Sequence, residues 1–167
     1  IFKTSTDDLD WMGIPATHLN ARLMQLTFGS LAHHEIISDP NVHVKFKEKI
    51  LIAGGWKPGR SSDDCAVRLA KIYGSQTVIN LSNIDYVYDR DPRKFKNAKP
   101  VARMSWPQYR SIIGKVWHPG GNFPFDPVAS KSAQAAKQKV VIADGRDLKN
   151  LHNILAGKQE YKGTIIG

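Results

Sequence analysis

Cysteine is nearly absent from this chain. Cys65 is the only one, which excludes an intrachain disulfide and suits a reducing cytosol, so a cytoplasmic location is expected. No uninterrupted apolar run approaches the roughly 20 residues that cross a bilayer as a helix, so no membrane partner is expected. The opening IFKTSTDD lacks the basic-then-apolar pattern of a secretory signal. With Ile1 where a Met would begin a chain, it reads as the middle of a protein, and the chain is expected to be N-terminally incomplete. Acidic residues are also few: 15 Asp and Glu stand against 24 Lys and Arg, a formal charge of +9. Such an excess favours polyanions: nucleic acid, anionic membrane or nucleotide phosphates. The basic residues are spread, however. Their densest run, 90–99, is broken by Asp91, Pro92 and Phe95. With no recognisable nucleic-acid module, a solvated basic surface accounts for the charge, and nucleic acid is not expected as a partner.

What is present suits one domain. A chain of 167 residues buries roughly 70% of its unfolded surface. Thr6 reads as the N-cap of a helix with Asp7 and Asp8 in its first turn. Leu9, Met12, Ala16, Leu19, Leu23 and Leu26 recur at helical spacing, Gly29 ends the helix, and Pro15 should kink it or split it near Ile14. In 30–49, residues 35–37 and 42–44 could be short strands, and 45–49 a turn of helix. The apolar runs 50–53, 77–81, 140–143 and 164–166 read as buried strands. Ser61 or Ser62 caps a helix ending at Gly74. Ser105 caps another from Trp106 to Ile113, Pro127 opens one to Gln138, and Asp147 opens one that Gly157 ends. Apolar strands alternating with helices predict an α/β fold, a three-layer α/β/α sandwich around a mostly parallel sheet.

Three constellations could carry chemistry. GGWKPGRSSD, residues 54–63, combines glycines, two cations, two hydroxyls and a helix N-terminus, the elements of a phosphate cradle. It is not the P-loop pattern, and a plain capped turn also explains its serines and glycines. SNIDYVYDRDP, residues 82–92, follows a buried strand. It could stack a base on Tyr88 and hold a ribose or Mg²⁺ through Asp91, or it could be an Asx-rich turn ended by Pro92. Asp126 stands behind the Gly-rich loop 118–124, at the mouth of a helix, as a cap or an active-site acid.

Five segments resemble one family. DWMGIPATHLNARLM (from Asp10), AGGWKPGRSSDDCAVRLA, NLSNIDYVYDRDP, FDPVASKSA and the terminal KGTIIG resemble, in order and spacing, the uridylate kinases of the amino acid kinase family, nearest the archaeal branch. The resemblance spans residues 10–167. It implies the carbamate kinase-like fold, ATP and Mg²⁺ as cofactors, UMP as acceptor and UDP as product. It places Asp10, Gly54, Gly55, Ser61 and Ser62 at UMP, and Ser82, Asn83, Tyr88 and Asp91 at ATP. Asp63 and Asp126 fall on the catalytic acids that orient lysines and Mg²⁺. No residues are read as a resident protein metal site. Tyr86 stands where the family carries Gly, so strain and a narrowed ATP site are expected. The family's Gly-rich phosphate loops are expected to lie upstream of Ile1, so the chain alone is expected to be inactive and to associate, giving a homo-oligomer. Another phosphotransferase of the family, such as an isopentenyl phosphate kinase, and a non-catalytic nucleotide-binding subunit are the alternatives.

Overall fold

The computed structural model describes residues 4–114 and 123–167. Most of the 118–124 loop therefore lies outside the described residues. The chain divides into two compact units, one ending at Gly74 and the other beginning at Ser75.

The first unit opens with α1, Thr6–Phe28. Its N-cap is Ser5, one residue before the expected Thr6. Ser5 accepts from Asp8 N–H while the Asp8 carboxylate accepts from Ser5 N–H, a reciprocal capping box. Pro15 does not split the helix at Ile14. A proline interrupts one rung of the ladder, and here the turns on either side continue. Strands β1, Ala32–Ile37, and β2, Ile50–Ala53, pair in parallel under α1. Helix α2, Ser62–Ile72, follows with Ser61 as N-cap and Gly74 at φ +68° beyond its end. Neither a strand at 42–44 nor a helical turn at 45–49 forms. Tyr73 organises this crossover instead. Its hydroxyl accepts from Val44 N–H at 3.1 Å and donates to Val44 C=O at 3.0 Å, and its ring meets His43 and Phe46.

The apolar stripe of α1 does not face this sheet. Leu9, Met12, Leu19, Leu23 and Leu26 are 60–74% exposed, whereas Ala21 and Gln25 are buried. Asp10, Ile14 and His18 complete the inward edge, half-buried.

The second unit holds a four-stranded sheet in the order β3-β7-β8-β6. Its strands are β3, Thr77–Ser82; β6, Arg103–Met104; β7, Lys139–Asp144; and β8, Thr164–Ile166. β3 and β7 run parallel, as do β6 and β8, while β7 and β8 are antiparallel. Strands β4, Val87–Tyr88, and β5, Pro100–Val101, form an antiparallel ladder within what the sequence presents as loop. Thr164 ties this ladder to the sheet: its hydroxyl accepts from Val87 N–H at 2.8 Å and donates to Val101 C=O at 2.7 Å.

Three helices cover this sheet's connections: α3, Trp106–Ile113; α4, Pro127–Ala135; and α5, Leu148–Leu155. The core gathers Val140, Ile142 and Ile166 with Tyr109, Phe125 and Ala129, all at 0% exposure; each fully buried large apolar side chain contributes about 1.5–3 kcal/mol. Tyr109 Oη donates to Phe125 C=O at 2.8 Å and Trp106 Nε1 to Gln138 C=O at 3.2 Å, so both buried aromatics satisfy their polar ends. Helix α4 ends three residues before the expected Gln138. Lys137 takes φ +55°, and Lys137 N–H and Gln138 N–H bond back to Gln134 C=O and Ala133 C=O. This is a Schellman ending with lysine at the position glycine usually fills. The architecture is α/β with mostly parallel strands, as expected.

Candidate functional site

In the first unit, the glycine loop after β2 is fastened to the polar edge of α1. Gly59 N–H donates to Asp10 Oδ2 at 2.8 Å, and Gly55 N–H donates to Thr17 Oγ1 at 2.6 Å. His18 Nε2 lies 2.8 Å from Gly55 O, as a donor in its Nε2–H tautomer. The fit explains the glycines. A Cβ on Gly54 would lie 2.7 Å from the His18 ring, and one on Gly55 would lie 2.9 Å from Thr17 Oγ1. Asp10 thus meets the glycine loop through Gly59, and Gly54 and Gly55 lie against the next turns of the same helix. Thr17 and His18 supply those contacts; both lie inside the segment that begins at Asp10 but were not singled out there.

The serines divide their work. Ser61 Oγ accepts from Asp64 N–H at 3.1 Å and is a helix cap, while Ser62 is exposed. Asp63 is half-buried in the first turn of α2. The cations of the loop collect on Trp56: Lys57 Nζ sits 4.2 Å from its ring centroid, Arg68 5.2 Å and Arg60 5.9 Å. Arg60 and Arg68 also pair with the buried Asp64 carboxylate at 3.5 and 2.9 Å. Next to it, burial and the Asp64 charge push the Cys65 thiol up. We therefore expect Cys65 to resist a disulfide-exchange reagent at pH 8 in the folded protein and to react at once in denaturant. Stoichiometric labelling of the native chain within seconds would contradict that reading.

In the second unit, the segment after β3 borders a cleft of about 450 Å³, within the range of small-molecule sites. Ser82, Asn83, Tyr88 and Asp91, the four residues expected at ATP, all line it, with Tyr86, Arg90, Arg93 and Ile112. Tyr86 is not strained: Lys137 is the only non-glycine with positive φ among the described residues. The extended pairing of its neighbour Val87 with Val101 asks nothing of position 86 that a tyrosine cannot give. Asp91 Oδ1 accepts from Arg93 N–H at 3.0 Å and Arg93 Nε at 3.2 Å, which holds its carboxyl below the ordinary range. Asp91 is therefore both a turn residue and a cleft wall. Arg146, which the sequence did not single out, closes on Asp144, bringing that carboxyl to about 2, and donates to Asn83 C=O at 3.4 Å.

Asp126 is 5% exposed and caps α4, its Oδ1 accepting from Ala129 N–H at 2.7 Å. Its own carbonyl accepts from Ser130 N–H and Oγ, at 2.8 and 2.7 Å.

Comparison with known proteins places this arrangement. A sequence model of the amino acid kinase family matches residues 5–144. A uridylate kinase of Sulfolobus acidocaldarius is 30% identical over 165 residues, 95% of this chain and 71% of that protein. One of Thermoplasma volcanium is 36% identical over 162 residues, covering 94% and 70%. The crystal structure of the Archaeoglobus fulgidus uridylate kinase superposes with a TM-score of 0.80 at 27% identity, covering 98% of this chain and 74% of that one.

Proposed function

This chain belongs to the amino acid kinase family, and we propose that its two sites serve one reaction, transfer of the γ-phosphoryl group of ATP to UMP, giving UDP. The observation that carries the assignment of sites is the cleft: the four residues that the sequence assigns to ATP line one cavity of nucleotide dimensions. Its donor set fits such a ligand. Tyr86 and Tyr88 offer rings for a base, Ser82 and Asn83 offer polar groups, Asp91 offers an ionised carboxylate, and Arg90 and Arg93 offer cations for phosphates.

Bound MgATP supplies the phosphoryl group and a divalent charge beside it. The chain's own residues position and neutralise. Asp10 and the 54–63 loop take the acceptor nucleotide, with Gly54 and Gly55 letting the loop lie close against His18 and Thr17 of α1. Ser61 and Ser62 flank the acceptor phosphate at the start of α2, where the helix dipole favours an anion. Lys57, Arg60 and Arg68, gathered at Trp56, give the loop its positive face. Asp63 and Asp126 each take the role of an acid that orients lysines and Mg²⁺, since phosphoryl transfer rests on positioning and charge neutralisation more than on covalent chemistry.

The unit also suits a homo-oligomer. The α1 stripe repeats at alternating steps of three and four residues from Leu9 to Leu26 and stands exposed, the pattern of a helix seam that covers itself with a like helix.

In the protein expressed in full, UMP should be phosphorylated fastest among UMP, CMP, AMP and isopentenyl phosphate, as read by ADP release. Equal rates, or a preference for isopentenyl phosphate, would move the acceptor assignment to the other branch of the family.

A further inference from the structure

Strand β1 carries His33 and His34 directly after its first residue, neighbours that a regular strand would send to opposite faces. Its register with β2 shifts between Ala32 and Ile36, and a bulge of that kind re-aims side chains. The two rings lie edge to face with centroids 4.5 Å apart. Glu48, two residues before β2, reaches back to them: its Oε2 is 3.1 Å from His33 Nδ1. One ring nitrogen from each histidine and a Glu48 oxygen all fall within 4.8 Å of one another.

We propose that His33, His34 and Glu48 form a binding site for a divalent transition-metal ion of the Zn²⁺ class. Two imidazoles and one carboxylate suit zinc, cobalt or nickel, not the all-oxygen preference of Mg²⁺ or Ca²⁺. A tetrahedral ion with ligands at about 2.0–2.1 Å keeps its donors roughly 3.4 Å apart. The His33–Glu48 pair is already at that spacing. His34 is exposed and has the rotamer freedom to close the remaining distance. The frame is firm on the other side. His33 is 7% exposed, Gln25 Nε2 donates to its carbonyl at 2.6 Å, and Phe46 stands 6.2 Å from its ring. Three protein ligands leave one position for water or an incoming donor. The site shares no residue with the glycine loop or the cleft. A bound ion would staple the start of β1 to the end of the crossover that precedes β2.

A His33–Glu48 contact alone is what an ordinary hydrogen-bonded pair also gives, so the test turns on His34. Tag-free, metal-stripped protein without nucleotide is titrated with Zn²⁺ by calorimetry and with Co²⁺ by visible absorption. One ion per chain is expected, with micromolar affinity, tetrahedral cobalt bands and a raised Tm. His34→Ala and Glu48→Gln should each weaken binding at least about tenfold. His34→Ala should leave the metal-free Tm unchanged, and His43→Ala should bind like the parent. Absence of saturable binding up to millimolar metal, or binding that His34→Ala leaves intact, overturns the proposal.

Discussion

Asp126→Asn should lower kcat for UDP formation by about 10²–10³-fold while the protein keeps its Tm. Asn is as good an N-cap as Asp, so the bond to Ala129 N–H at 2.7 Å survives the change, and so do the two bonds that Ser130 makes to the backbone carbonyl of residue 126. What disappears is a negative charge at a buried position. One preorganised electrostatic contact at a transferring group is worth that factor in rate. Asp126→Ala provides the complementary measurement. It removes the charge and the cap together, so it should add a stability loss of about 1 kcal/mol to the same kinetic defect. Steady-state kinetics and thermal unfolding on the two variants separate the roles. Near-normal kcat in Asp126→Asn would leave Asp126 as a cap alone.

Gly163→Ala should be the most damaging single-atom change in the second unit, costing about 2–5 kcal/mol and lowering Tm by roughly 10 °C. A Cβ at this position would sit 2.8 Å from Ile142 O, a backbone atom of β7, and φ there is +155°. Neither neighbour can step aside. Asn150 holds residue 162 through both backbone groups, at 2.7 and 2.8 Å. Thr164 is pinned to Val87 and Val101 through its hydroxyl. Gly157→Ala is the control. Its φ is +68° with open space around the added atom, so it carries only the left-handed penalty of about 1–2 kcal/mol. Calorimetric unfolding of the pair should rank Gly163→Ala clearly lower; equal Tm values would show that β8 yields.

Local signals were the most legible part of the sequence. Ser61, Ser105, Asp126 and Asp147 each cap the helix that follows, because a cap is decided within four residues. The continuous apolar run of β7 reads correctly, since both faces of that strand are buried. The misses are non-local. The ladder of β4 and β5 depends on Thr164, far along the chain, to hold Val87 and Val101. Residues 42–44 look like a strand and 45–49 like a turn of helix, but Tyr73 gathers His43, Val44 and Phe46 instead. The end of α4 carries no glycine to mark it, because Lys137 adopts the left-handed turn itself. The candidate site was legible as composition: glycines, serines and acids at family spacing. Thr17, His18 and Arg146 were not, since their roles follow from which edge of α1 meets the loop and which turn meets Asn83.

Helix α1 divides its residues between two masters. Positions 10, 14, 18, 21 and 25 answer to the loop and sheet, while 9, 12, 19, 23 and 26 answer to whatever lies outside. Drift on one stripe is therefore nearly silent on the other. Descendants of this chain can change what that stripe meets by altering leucines and methionines while the glycine loop keeps its fastening. Conversely, the hydrogen bonds of Asp10 and Thr17 can be retuned without touching the exposed stripe. One helix with its apolar side turned outward gives two traits that selection can move separately.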